Sequence, residues 1–232
     1  MKRFYKLAAA QEAQGGWTVA LDGKPIRTPA RAGFLTPGRA LAEAAAAEWM
    51  AQEREIKPAS MPITRAVNTA IDRTGPEHAA VVEMVAGYGG SDLVSYRAEA
   101  PAELRRRQAE GWDPLIAWAE ATHGAKLIAT TGVMHALQPE DGQQRLRAAV
   151  AAHDAFRLTA LYDLTALSGS LVIALAVAGG RLGVEEGWRL SRIDEIWQEE
   201  QWGHDEEAAS LAALKYIDFN AAKVFLDLLD ED

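Results

Sequence analysis

The chain has 232 residues and not one cysteine. That excludes disulfides, thiolate metal sites and a thiol nucleophile, and it fits a reducing compartment. Basic residues are in deficit, 24 Lys and Arg against 33 Asp and Glu, for a net charge of −9 and a pI near 5.1. A nucleic-acid backbone or an anionic membrane is therefore a poor principal partner. A long apolar run is also missing: the longest, Leu171 to Ala178, falls far short of the ~20 residues that span a bilayer, so membrane insertion is not expected. The first residues carry no apolar stretch of the length a signal peptide needs.

Several kinds of chemistry lack their residues. The five histidines, His78, His123, His135, His153 and His204, include no pair at metal-ligand spacing. Gly87-Tyr88-Gly89-Gly90 lacks the lysine and the strand of a phosphate-binding loop, and reads as a turn that ends a helix. Leu167-Ser168-Gly169-Ser170-Leu171 lacks the outer glycines of a nucleophile elbow, so Ser168 or Ser170 reads as a helix cap.

What is present is globular, with 49% hydrophobic and 25% charged residues. Length permits one large or two small domains. The first 36 residues carry strand and turn signals. Phe4–Leu7 reads as a strand, Trp17–Leu21 as a second, Asp22-Gly23 as a tight hairpin turn and Lys24–Pro29 as the return strand at an edge. A short strand at Gly33–Leu35 leads to Thr36, expected to cap a helix that opens at Pro37 and runs to about Arg54. Residues 57–62 form a linker-like bend. Beyond it the periodicity predicts helices over 63–73, 76–87, 101–109, 112–122, 139–153, 155–166, 169–178 and 184 to about 214, with a weak strand signal at 126–130. The fold class is α+β: a small N-terminal strand/helix domain, residues 1–62, then a larger all-helical domain, residues 63–232.

One segment stands out. Between Glu185 and Glu207 lie nine acids and two arginines, together with Trp188, Trp197 and Trp202. On one continuous helix, Ile193, Trp197, Glu200, His204, Ala208 and Leu211 would share a face. Three readings are open: a solvated acidic face, a carboxylate metal site using Glu199, Glu200 and His204 in a helical-bundle enzyme, or a surface that binds a protein partner.

The ordered motifs favour the third. They are Glu48-Trp49-Met50-Ala51-Gln52, Met61-Pro62-Ile63-Thr64-Arg65, Asn68-Thr69-Ala70 and Asp72. They continue with Ser91-Asp92-Leu93-Val94-Ser95-Tyr96-Arg97-Ala98-Glu99, Gln108 and Trp112-Asp113-Pro114-Leu115. Last come Leu167-Ser168-Gly169-Ser170 and Asp194-Glu195-Ile196-Trp197-Gln198 leading to Gln201-Trp202-Gly203. From about residue 3 to 215 the chain resembles the F-type ATP synthase assembly chaperones that bind the unassembled alpha subunit. The resemblance implies an ATP-independent chaperone with no enzymatic activity, no cofactor and no catalytic or metal residues. It also implies an α+β N-terminal and a helical C-terminal domain, and the free alpha subunit as partner. Its partner-binding positions fall on Asp194, Glu195, Gln198, Trp202, Gly203 and Glu206; family members often carry Glu where Asp194 stands. A monomer in the bacterial cytoplasm, or in the mitochondrial matrix of a eukaryote, is expected. Trp49 is expected to pack between the domains, and Arg65, Asn68 and Asp72 to meet Asp92, Tyr96 or Arg97 in a polar network.

Overall fold

The structure is a computed structural model and describes residues 1–132 and 134–231. The chain forms two compact units: residues 1–78 with 154–160 and 221–232, and residues 79–153 with 161–220. The compositional boundary at residue 62 falls inside the first unit.

In the first unit, β1 (Ala8–Ala13), β2 (Gly16–Leu21) and β3 (Lys24–Pro25) form an antiparallel sheet in that order. Ala8 pairs with Leu21 and Ala13 with Gly16. Asp22 and Gly23 both take positive φ, 48° and 80°, which gives the hairpin the twist its strands require. The first strand begins at Ala8 rather than spanning Phe4–Leu7. Asp22 explains this, since its carboxylate accepts from the backbone N–H of Lys6 and Leu7 and takes those donors out of any ladder. Those two bonds also lower its pKa. The return strand shrinks to Lys24 and Pro25, although Arg27 still bridges to Gly33.

Helix α1 (Arg39–Met50) lays Leu41, Ala42, Ala45 and Ala46 against the sheet. Its N-cap is Gly38, not Thr36, whose hydroxyl instead donates to the Gly38 carbonyl at 2.8 Å. The helix stops at Met50 rather than near Arg54, because the buried Gln52 side chain accepts from Lys57 N–H at 2.8 Å and turns the chain. Helix α2 (Pro62–Thr69) runs on as a π turn over Ala70–Thr74. Glu48 seats its start: the two carboxylate oxygens accept from the N–H groups of Ile63 and Thr64, each at 2.7 Å. Burial of this carboxylate raises its pKa, against the lowering effect of those bonds.

Asp72 accepts from Thr28 Oγ1 at 2.6 Å and Ala30 N at 2.9 Å. Trp49 meets the Tyr5 ring, centroid to centroid 5.7 Å, within the same unit. The later segments of this unit add the start of α6 (Ala155–Ser168) and the end of α10 (Glu206–Asp230), where Phe156 stacks on Phe225 and Arg157 pairs with Asp230.

The second unit is helical around α7 (Leu171–Ala178), whose residues Leu171 to Val177 are all buried. Ser170 caps α7 by accepting from Ile173 N–H at 3.0 Å, as the sequence suggested. Asp92 reinforces that cap, its carboxylate accepting from Val172 and Val94 N–H. Around α7 stand α3 (His78–Gly87), α4 (Ala102–His123), α5 (Glu140–Ala151), most of α6, α8 (Val184–Leu190), α9 (Ile193–Trp202) and the first part of α10. A small parallel pair, β4 (Tyr96–Arg97) and β5 (Thr130–Thr131), replaces the strand expected at 126–130.

Two differences from the sequence reading shape the site. The helices expected at 101–109 and 112–122 are one, because the buried stripe Leu104, Gln108, Trp112, Leu115, Ala119 runs unbroken past Pro114. The single helix expected from 184 to 214 is three. Ser191 closes α8 by donating its hydroxyl to Trp188 O at 2.7 Å, and Gly203, at φ +96°, ends α9.

Candidate functional site

The corner between α8 and α9 is fixed by α4. At Gly111 an added Cβ would lie 2.8 Å from Ile193 Cδ1 and 2.9 Å from Leu190 Cδ2, so the close approach depends on glycine. One residue on, the buried Trp112 donates its indole N–H to Leu190 O at 2.8 Å. The Arg97 guanidinium lies 5.1 Å from the Trp112 ring centre and pairs with Asp113 at 2.6 Å.

Gln108 completes this frame. It is buried, 2% exposed, on a stripe that is otherwise apolar. Its Oε1 accepts from Ala98 N–H at 2.7 Å, which fixes the amide, and its Nε2 donates to Asp194 Oδ1 at 2.6 Å. Asp194 is therefore aimed by a side chain whose other end is tied to backbone.

Asp194, Glu195 and Gln198 line one groove of about 440 Å³, shared with Arg192, Trp188 and Lys215. Arg192 sits 5.5 Å from the Trp188 ring centre. Trp188 in turn packs on Tyr216 and Phe219 of α10. The groove thus offers carboxylates, cations, an amide and indole faces side by side, suited to gripping a polypeptide by ion pairs and hydrogen bonds.

The other expected contacts lie outside that lining. Trp202, at the end of α9, is 80% exposed. Gly203 supplies the left-handed break, and Glu206 stands exposed in the first turn of α10. The face expected to run from Ile193 to Leu211 is interrupted at that break.

The metal reading of Glu199, Glu200 and His204 fails on partners. Glu200 pairs with Arg107 of α4 at 2.7 Å, whose guanidinium lies over the Trp197 ring, while Glu199 pairs with His204. Among the described residues no group of three or more His, Asp or Glu is placed to hold a metal ion. The sequence reading did not single out Arg192, Trp188 and Lys215 as site residues, and it named Gln108 and Trp112 only as motif members. A polar residue on the apolar stripe of α4 is the signal that could have marked Gln108.

The family model described as ATP12 chaperone protein matches residues 2–120. The chain belongs to the ATP12 chaperone family. Membership makes it a chaperone of ATP synthase assembly. The matched stretch includes Gln108 and Trp112 and ends before α8.

The crystal structure of Atp12 from Paracoccus denitrificans is 46% identical, covers 98% of this chain and 97% of its own, and has a TM-score of 0.94. The Atu1473 protein from Agrobacterium tumefaciens is 43% identical over 98% of this chain and 86% of its own, also with a TM-score of 0.94. Protein atp12, mitochondrial, of Schizosaccharomyces pombe is 23% identical over 89% of this chain and 75% of its own length. No described helix is long and apolar enough to cross a membrane.

Proposed function

We propose that this chain holds the free alpha subunit of the catalytic sector of F-type ATP synthase until beta joins it, without consuming ATP and without catalysis. A subunit awaiting its neighbour exposes apolar surface and aggregates through it. A stoichiometric holder must cover that surface reversibly. The observation that carries the reading is that Asp194, Glu195 and Gln198 line one groove, with Asp194 held by Gln108. These carboxylates would pair with basic groups of alpha, and Trp202, Gly203 and Glu206 would extend the contact outward. The holder acts as a monomer in the bacterial cytoplasm or the mitochondrial matrix.

The test is refolding followed by light scattering. The cognate alpha subunit is diluted from denaturant with and without this protein, in the absence of ATP, with beta as control. Suppression of alpha aggregation near one-to-one stoichiometry, with little effect on beta, supports the reading. No suppression, or equal suppression of both subunits, overturns it. Asp194→Lys is expected to fold and to lose most of the effect on alpha; equal suppression by this variant removes Asp194 from the contact.

A further inference from the structure

The first turns of α10 divide sharply. Ala208, Tyr216 and Phe219 lie toward one flank, where Tyr216 and Phe219 meet Trp188. Leu211, Leu214 and Ile217 follow one another at steps of three on the other flank. They are 54%, 62% and 60% exposed. Single exposed leucines are ordinary, but three large side chains in a row along one helix ridge are not. Trp202, also exposed, stands just before the helix.

The surroundings of the ridge are acidic. Asp205, Glu206 and Glu207 open α10, and the segment from 205 to 218 adds Asp218 against one cation, Lys215. Lys215 also lines the groove that holds Asp194, so ridge and groove adjoin. The apolar ridge and its charge together select an occupant. A second copy of this chain would bring the same acids and a net charge of −9, and an anionic lipid surface would be repelled in the same way. A segment whose apolar face is flanked by Lys or Arg satisfies both features.

We propose that the Leu211–Leu214–Ile217 ridge is a docking surface for a basic amphipathic helix of an unassembled subunit. This rests on the holder reading and supplies its apolar half: the groove grips charge, and the ridge covers a hydrophobic face. A ridge without a partner is the expected resting state of a chaperone that must release what it holds.

The test uses the full chain and a fluorescently labelled amphipathic Leu/Lys helical peptide of about 18 residues, with a Leu/Glu peptide of the same apolar pattern as control. Binding is read by anisotropy for the wild type, for Leu214→Gln/Ile217→Gln and for Asp194→Lys. Circular dichroism and sedimentation establish the fold and the oligomeric state of each. The inference expects the Leu/Lys peptide to bind the wild type about tenfold or more tighter than the folded double variant, and the Leu/Glu peptide not to bind. Equal binding by wild type and double variant overturns it. So does a peptide affinity lost in Asp194→Lys but kept in the double variant, which would put the contact in the groove. So does a wild-type dimer that the double variant dissociates, which would make the ridge a self-interface. Because the peptide replaces alpha, a failure of the ridge is distinguishable from a failure of alpha holding in the refolding assay.

Discussion

Gln108 and Asp194 lie 86 positions apart in the chain, and one hydrogen bond of 2.6 Å joins them. Since Gln108 is itself tied to Ala98 N–H, the bond transmits the position of the chain before α4 to the first turn of α9.

Gln108→Leu therefore leaves Ala98 N–H without its acceptor and frees Asp194 to rotate. Stability should fall by about 1–3 kcal/mol, read from the urea midpoint. The proposed holding of alpha should weaken while the variant is still folded. Unchanged holding would show that the orientation of Asp194 is immaterial.

Glu48→Ala strips two acceptors from the first turn of α2. Both donors are short, at 2.7 Å, and part-buried. A loss of about 2–3 kcal/mol is expected. Glu48→Gln keeps one acceptor oxygen and should lose less. The ordering of the three urea midpoints is the check.

Asp92 gives a pH signature. Burial raises its pKa to about 6, against bonds from Ser170 and from backbone N–H groups that lower it. A carboxyl that ionises less readily in the folded state than in the unfolded one weakens the fold as pH rises through that interval. Its stability contribution is thus largest below the ordinary carboxyl value and is lost as pH climbs to about 6. Relative to Asp92→Asn, wild type should gain on the order of 2 kcal/mol between pH 7 and pH 4. Parallel stability curves for the two proteins would contradict the raised value.

Gly187 lies where α8 presses on α7. A methyl there would stand 2.4 Å from Val177 Cγ2, in the fully buried centre of the second unit. Gly187→Ala should cost about 1–3 kcal/mol through overpacking. Gly183→Ala, with nothing within 4 Å, provides the comparison and should change little on this account.

The general plan was legible in the sequence, but its joints were not. The hairpin at Asp22-Gly23 and the cap at Ser170 rest on local chemistry, and local chemistry is what a sequence displays. The merging of two helices across Pro114 depended on Trp112 and Leu115 finding a core, which is a tertiary effect. The division of the acidic stretch into α8, α9 and α10 turned on Ser191 and Gly203, residues that an uninterrupted helical periodicity passes over. The same division explains the uneven outcome for the site. Asp194, Glu195 and Gln198 occupy one helix and one groove. Trp202 ends that helix outside the groove, Gly203 makes the break, and Glu206 lies beyond it. Gln108, Arg192 and Lys215 come together only through the fold, and no spacing along the chain announces them.

The make-up of the first unit sets an order for biosynthesis. Residues 1–78 leave the ribosome first, yet the unit is completed by residues 154–160 and 221–232. At ordinary elongation rates the interval between His78 and Ala221 is on the order of ten seconds or more. Until the end of α10 is made, Phe156 lacks the Phe225 ring it stacks on and Arg157 lacks its Asp230 partner. A chaperone built this way passes through its own period of incompleteness, and trimming the last turns of α10 would be felt first at Phe156 and Arg157, at the start of α6.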